Sequence, residues 1–216
     1  LIICSVIIFS SCKPEEKKRT AQQIVDKTIA NAGGENYGVA MINFTFRNTK
    51  YSSKRRNGQY EFTRTITDSL GETLDVLTNT GFERYVNANK IIVKKELVGN
   101  AEIDGEKYYE IQVTFEEDSG GTDHEDVYMY WINQQNFTVD YFAYKFYTGD
   151  GGIRFRKAYN PRMVNGIRFV DYENYKLEPW KTVDLKTVDS LYLDGKLELL
   201  SEIKTENISV EILENK

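Results

Sequence analysis

The apolar residues of this chain recur with two different periods, and the first of them predicts a helix. Near the start of the polar part of the chain, apolar or small residues follow one another at helical spacing: Ile24, Val25, Thr28, Ile29 and Ala32. Thr20 is placed to cap this segment, with Gln23 as its capping-box partner, and Gly33-Gly34 is a stop signal. We therefore predict one amphipathic N-terminal helix that begins near Thr20 and ends at the glycine pair.

Beyond the helix, apolar and polar residues alternate, which is the pattern of strands with one buried face. The clearest runs are Tyr60 to Ile66, Tyr109 to Phe115 and Val127 to Trp131. Turn dipeptides such as Asp104-Gly105 and Asn165-Gly166 separate consecutive runs, as in antiparallel hairpins. We expect a mainly β (α+β) fold, in which a large curved antiparallel sheet forms an incomplete barrel around the N-terminal helix. A short helix is expected near Val188 to Leu193.

The first twelve residues form an apolar stretch that ends in Ser-Ser-Cys. The stretch is shorter than the about 20 apolar residues that span a bilayer, and it fits the apolar core of an export signal. A cysteine after small residues is the recognition site of lipoprotein signal peptidase. We predict a lipoprotein signal over residues 1–12 with lipidation at Cys12, a charged tether over residues 13–19, and a single domain over residues 20–216. The alternative is a buried strand with two inert cysteines.

Composition limits the partners. The chain carries 28 basic and 33 acidic residues, a net charge of −5, which argues against nucleic acid as a ligand. Its 15 Tyr and 11 Phe are the more informative feature. Six of them lie between Phe137 and Tyr147, where both faces of the predicted strand are apolar. On one interpretation both faces are covered and the interior is filled. On the other, the inner face, with Phe44, Phe62 and Tyr141, lines a cavity for an apolar ligand.

Two charged clusters are candidates for chemistry. Asp123 to Asp126 includes the only histidine, His124, and a neighbouring acid such as Asp123 would orient it as a general base. The alternative is a solvated strand start beside a Gly-Gly turn, since alternate residues on a strand point to opposite faces. The motifs of the common hydrolases and of phosphate-binding loops are absent from the sequence, and we expect no metal or cofactor.

The second cluster consists of arginines. Arg154 and Arg156 lie two residues apart on a predicted strand, so they share a face and offer guanidinium groups to a carboxylate or phosphate head group. Arg162 and Arg168 lie nearby. The alternative is that these arginines pair with acids on adjoining strands, for which the candidates are Asp140, Asp171 and Glu173.

Five segments of the chain resemble an uncharacterised lipoprotein family of the Bacteroidota: Ala21 to Lys27 with Gly33-Gly34, Asp123 to Asn133, Val139 to Tyr141, Gly151 to Arg156, and Tyr159 to Arg162. That family is similar in fold to the periplasmic lipoprotein carrier and its outer-membrane receptor, in which an incomplete barrel wraps helices and holds acyl chains. The chain departs from the family in Asn87 to Gly99, which is short.

The pattern and the resemblance together favour a cell-envelope lipoprotein, anchored to the outer membrane and facing the periplasm or the surface. We expect it to bind an apolar or lipid-like ligand without catalysis. The candidate ligand-binding residues are Phe44, Phe62, Tyr141, Arg154 and Arg156. Two other functions stay open: a non-catalytic interaction lipoprotein with a filled core, and a hydrolase that uses His124 with a neighbouring carboxylate.

Overall fold

The computed structural model describes residues 19–56, 59–69, 71–77, 93–116 and 124–213. The predicted signal with Cys12, most of the tether and Asp123 lie outside these ranges. Of the helices in the described part, none has the length and apolar character needed to cross a membrane.

The described chain contains two α-helices, α1 (Ala21–Ala32) and α2 (Val188–Leu193), and two 3-10 helices, Gly34–Val39 and Leu185–Thr187. The strands are β1 (Ala40–Phe46), β2 (Thr49–Arg56), β3 (Gln59–Asp68), β4 (Gly71–Val76), β5 (Val93–Ile103), β6 (Glu106–Phe115), β7 (Val127–Asn133), β8 (Val139–Phe146), β9 (Gly152–Val164), β10 (Ile167–Leu177), β11 (Glu198–Ile203) and β12 (Glu206–Ile212). The mainly β class is therefore confirmed. So is the short helix at Val188–Leu193.

The strands form two antiparallel sheets, and the sheets do not close into a barrel. One sheet has five strands in the order β12-β1-β2-β3-β4, and the other has seven in the order β11-β10-β9-β8-β7-β6-β5. The expectation of one large sheet needs this correction. At the corner between β11 and β12, side chains rather than a strand ladder bind the backbone of Thr205: its N–H donates to Asp171 and its carbonyl accepts from Arg162.

Helix α1 begins and ends where its sequence predicts. The Thr20 hydroxyl accepts from the Gln23 N–H, and the Gln23 side chain accepts from the Thr20 N–H at 3.0 Å, which completes the capping box. Gly33 ends the helix at a φ of 129°, where a Cβ would lie 3.1 Å from Ile167 Cγ1. The hairpin at Asn165-Gly166 is also confirmed, since both residues have positive φ, as the turn requires.

The seven-stranded sheet is covered differently on its two faces. On the face that we call the core face, Met129, Trp131 and Phe155 pack against Trp180, Leu185 and Val188, and all six side chains are buried. On the opposite face, which we call the α1 face, Ile24 of the helix packs against Ile111, Ile132 and Phe137. A smaller cluster of Ala40, Ile42 and Ile167 joins the two sheets.

A β-bulge decides which face of β8 each side chain occupies. Trp131 pairs with Tyr141 whereas Ile132 pairs with Val139, so Asp140 is an extra residue on β8. Because of it, Val139 packs beneath α1, whereas Tyr141 and Ala143 enter the core face. Strict alternation of side chains would place Val139 on the same face as Tyr141 and Ala143. That expectation is wrong, and the bulge is the reason.

Asp171 is the centre of a buried polar network at the corner of the two sheets. Its carboxylate accepts from Arg162 at 2.9 Å, from Asn160 at 2.8 Å and from the Thr205 N–H at 3.0 Å. Burial alone would raise the pKa of the Asp171 carboxyl, but these hydrogen bonds outweigh burial and hold the pKa below its usual range. The ionised form is therefore favoured by folding.

We predict that Asp171→Asn lowers the free energy of unfolding at neutral pH by about 2 to 3 kcal/mol, because Arg162 loses a buried partner. A carboxyl whose pKa is depressed by folding stabilises the protein above its unfolded pKa and loses that contribution as pH falls through the folded pKa. The variant should therefore show a weaker loss of stability in acid than the parent, measured by urea denaturation at several pH values. Asp194→Asn, which removes an exposed ion pair with Lys196, is the control and should change stability by no more than about 0.5 kcal/mol. Equal effects of the two substitutions would contradict the network.

Trp180 packs against the turn that precedes β9. A Cβ on Gly151 would overlap the indole ring and lie 2.9 Å from the Phe146 carbonyl oxygen, whereas a Cβ on Gly149 would meet no atom of the described residues within 4 Å. The two glycines have almost the same positive φ, 65° for Gly151 and 66° for Gly149. They therefore separate the cost of backbone strain from the cost of displacing Trp180.

We predict that Gly149→Ala costs about 1 kcal/mol of stability from its left-handed backbone, and that Gly151→Ala costs about 2 to 4 kcal/mol because steric overlap with Trp180 adds to the same strain. Thermal unfolding followed by near-ultraviolet circular dichroism measures both effects. If the two variants unfold alike, Trp180 is not held against Gly151.

Candidate functional site

An apolar groove of about 220 Å³ runs along one side of α1 on the α1 face. Its walls come from the helix and from β5 to β8, and they consist of Val25, Thr28, Ile29, Val93, Lys95, Ile111, Val113, Tyr130, Ile132 and Val139. Lys95 turns its ammonium away to donate to the side chain of Gln22 at 3.0 Å. The groove is therefore lined almost wholly by hydrocarbon.

A second cavity, of about 200 Å³, lies on the other side of the helix. It shares Thr28 and Val139 with the groove and adds Phe137, Arg168 and Tyr172. Helix α1 thus lies along the middle of a trough and contacts its floor mainly through Ile24. Ile29 remains 54% exposed, which is unusual for an isoleucine beside an apolar groove.

Aromatic rings continue the floor of the groove away from α1. Tyr130 stacks on Phe142 with ring centroids 5.9 Å apart, and Tyr128 stacks on Tyr144 at 5.6 Å. Burial raises the pKa of the Tyr130 phenol to about 12. Tyr130 is therefore neutral at any physiological pH, and the four rings are half-buried.

Arg154 and Arg156 lie at the end of the aromatic surface, as their spacing on one strand predicts. The guanidinium of Arg156 lies 5.2 Å from the centroid of Phe142 and donates to the Tyr144 hydroxyl at 3.3 Å. The guanidinium of Arg154 lies 5.2 Å from the centroid of Phe146. Both cations are therefore held against ring faces by cation–π contacts.

The other two arginines of the cluster have carboxylate partners. Arg162 pairs with Asp171 at 2.9 Å, and Arg168 pairs with Asp140 at 3.8 Å. For these two, the alternative of a structural ion pair is the correct one. Within the described ranges, Arg154 and Arg156 form no ion pair.

The remaining candidate ligand residues lie elsewhere. Tyr141 is 4% exposed on the core face and donates to Asp104 at 3.1 Å, so the structure does not bring it to the groove. Phe44 and Phe62 belong to the five-stranded sheet, where they stack with Tyr51 in a group of their own. Of the five predicted residues, only the two arginines lie on the α1 face.

The charged segment before β7, Asp123 to Asp126, lies only partly within the described residues. His124 is half-buried in a turn, and Asp126 is buried and accepts from the Tyr147 N–H at 3.3 Å. Among the described residues, no three His, Cys, Asp or Glu side chains lie close enough together to hold a metal ion. Asp123 lies outside those residues, so its pairing with His124 stays a prediction.

Two further features lie away from the groove. A wider cavity, of about 520 Å³, is on the five-stranded sheet. It is lined by short polar side chains, such as Ser52 and Thr63, together with Phe44, Tyr51 and Leu74. Beneath α2, burial and repulsion from Asp189 raise the pKa of Glu110. Neither feature adjoins the arginine pair.

Sequence reasoning missed most of the groove. By alternation Ile111 is an ordinary inward position, whereas Tyr130 falls on the face opposite Met129 and Trp131. Nothing in the pattern says which covering element lies above either residue. The signal that was available is the stretch from residue 137 to residue 147 with two apolar faces, because such a strand needs cover on both sides.

Residues 80–205 match a family of unknown function (DUF6503). The chain belongs to this family. The prediction of an uncharacterised family is thereby confirmed, whereas its restriction to the Bacteroidota stays a prediction. None of the curated proteins matches the chain.

Three solved structures resemble the chain over most of its length, at low identity. A LolA-superfamily protein from Nitrosomonas europaea is 15% identical, with 92% of this chain and 96% of that chain covered and a TM-score of 0.42. A DUF1329-family protein from Desulfovibrio piger is 8% identical, with 90% and 95% covered and a TM-score of 0.45. An outer-membrane lipoprotein-sorting protein domain from Vibrio parahaemolyticus is 9% identical, with 81% and 97% covered and a TM-score of 0.41. Likenesses of this degree do not assign a function.

Proposed function

We propose that this protein is a lipid-anchored protein of the cell envelope that binds an acyl chain, or a similar extended apolar ligand, in the groove beside α1. The observation that carries the proposal is the groove itself, an opening of about 220 Å³ with hydrocarbon walls. Burial of each methylene group there contributes about 0.8 kcal/mol of binding free energy.

Helix α1 supplies the movable wall of this site. Its described contacts with the sheet centre on one fully buried side chain, Ile24, and Ile29 on the same helix is left half in water. An acyl chain in the groove would bury its own methylene groups and would also cover Ile29 and Val25. Ligand binding and the docking of α1 therefore stabilise each other.

The two alternative functions fare differently. A filled interior describes the core face well, since Trp131, Ala143 and Phe155 are fully buried there, but it does not describe the α1 face. A hydrolase would need His124 in a cleft beside a free carboxylate. The nearby Asp126 is instead committed to the backbone of Tyr147.

The anchoring part of the proposal rests on Cys12. A bacterial lipoprotein with several acyl chains is held stably on a membrane, whereas a single chain binds only marginally. Mass spectrometry of the N-terminal peptide from membranes of the native host tests this directly. An unmodified Cys12 within an uncleaved chain would refute it.

The binding part is tested with the full chain carrying Cys12→Ser, so that any acyl chain found is non-covalent. We predict that it binds the neutral dye Nile red and that hexadecanol displaces the dye. Ile29→Ser should weaken hexadecanol binding by roughly fivefold, since about 1 kcal/mol of apolar burial is lost. Leu193→Ser, at a similarly exposed residue of α2, is the matched control and should leave binding unchanged.

A second variant fills the groove. Val113→Trp places an indole where the chain is proposed to lie, and it should abolish displacement by hexadecanol. Val76→Trp makes the same substitution at an exposed residue of the five-stranded sheet and should bind like the parent. If Val113→Trp remains folded by circular dichroism and binds hexadecanol normally, the groove is not the site.

A further inference from the structure

The α1 face changes from apolar to cationic along two rows of side chains that cross the strands. Strand register places the first row in the order Leu97, Ile111, Tyr130, Phe142, Arg156 and Asn174. The second row runs through Val113, Tyr128, Tyr144, Arg154 and Lys176. Both rows begin in or beside the groove and end in basic or amide side chains.

The guanidinium of Arg156 is only partly satisfied by the protein. Its Nη2 donates to the Tyr144 hydroxyl, but its Nε is buried and has no hydrogen-bond partner among the described residues. Asn174, the next residue in the row, is 7% exposed, and its Oδ1 likewise has no partner in the part of the chain that the structure describes. A buried donor without a partner is costly, so the Arg156 Nε–H favours a ligand with acceptor oxygens; the Asn174 Oδ1 is itself an acceptor and does not bind an anion.

Positive charge is concentrated at the same place. Arg154 lies directly opposite Lys176 on the neighbouring strand, and like charges in that position destabilise a sheet. Lys176 has a partner in Glu198 at 3.1 Å, whereas the two arginines lack one in the described part of the chain. On a protein with a net charge of −5, an unneutralised basic pair beside an aromatic surface favours an anion.

Building on the proposed function, we propose that the ligand is a single-chain anionic amphiphile, with its carboxylate or phosphate head group on Arg154 and Arg156 and its chain in the groove beside α1. Three strand spacings separate Arg156 on β9 from Ile111 on β6, about 14 Å. The stacked aromatic side chains between them provide an apolar surface along which the acyl chain of the ligand lies. The guanidinium planes provide paired donors that match the oxygen atoms of either head group.

The test compares the binding of three ligands whose hydrocarbon chains have the same length. The protein is the full polypeptide carrying Cys12→Ser. Hexadecanol is neutral, palmitate carries a carboxylate, and palmitoyl lysophosphatidic acid carries a phosphate. We expect at least one of the two anions to bind about tenfold more tightly than hexadecanol, a difference of about 1.4 kcal/mol. The tighter of the two anions identifies the head group.

The double substitution Arg154→Gln with Arg156→Gln should bring the ratio of anion to hexadecanol affinity close to one. The double substitution Lys196→Gln with Lys204→Gln makes the same change in net charge at exposed residues and should leave the ratio as it is. As a measurement that needs no variant, added salt should weaken binding of the anion but not of hexadecanol.

The outcomes separate this inference from the proposed function. Equal affinity for hexadecanol and both anions in the unsubstituted arginine background overturns the head-group assignment and leaves the groove intact. An unchanged ratio in the arginine variant does the same. A protein that binds none of the three ligands overturns the proposed function itself.

Discussion

The structure depends on one constraint, which is that the seven-stranded sheet is apolar on both faces and has to be covered on both. On the core face, the segment that contains Trp180, Leu185 and Val188 covers the centre of the sheet, where Met129, Trp131 and Phe155 are fully buried. On the opposite face, the cover in the described part of the chain is the twelve-residue helix α1, which is too narrow to span seven strands. The groove and the half-buried aromatic rungs are the part of the apolar surface that the helix leaves uncovered. Because exposure of an apolar surface to water is unfavourable, the unequal cover of the two faces is the physical basis of the proposed ligand site.

The arginines show how partners, rather than residue type, decide a side chain's role. Arg162 and Arg154 lie on the same strand, but Arg162 binds Asp171 and fixes the corner between the sheets, whereas Arg154 lies against Phe146 and opposite another cation. The first is part of a satisfied network whose loss would leave a buried charge. The second carries charge that the described protein does not neutralise. An anionic ligand would neutralise the charge on Arg154.

Helix α1 connects the proposed site to the proposed membrane anchor, because it follows directly after the tether. Arg19, the last tether residue, donates to the Tyr109 hydroxyl at 3.0 Å, and Lys27 lies 4.0 Å from the ring centroid of Phe137. These contacts hold the helix by its polar side, and Ile24 holds it by its apolar side. A helix attached in this way can move aside for a ligand at a modest cost in free energy, since few apolar contacts have to break.

The sequence by itself determined the local elements: the capping box at Thr20, the stop at Gly33, the hairpin at Asn165-Gly166, the short helix at Val188–Leu193 and the shared face of Arg154 and Arg156. Each depends on residues close together in the chain, where capping, turn geometry and strand alternation act. Only the tertiary structure decided that Asp140 forms a bulge, which moved Tyr141 into the filled core. It also decided that Arg162 and Arg168 are paired, that Phe44 and Phe62 stack apart from the groove, and that α1 covers Ile111 beside Tyr130. Those outcomes depend on strand register and on contacts between distant segments, and a periodic pattern does not specify either.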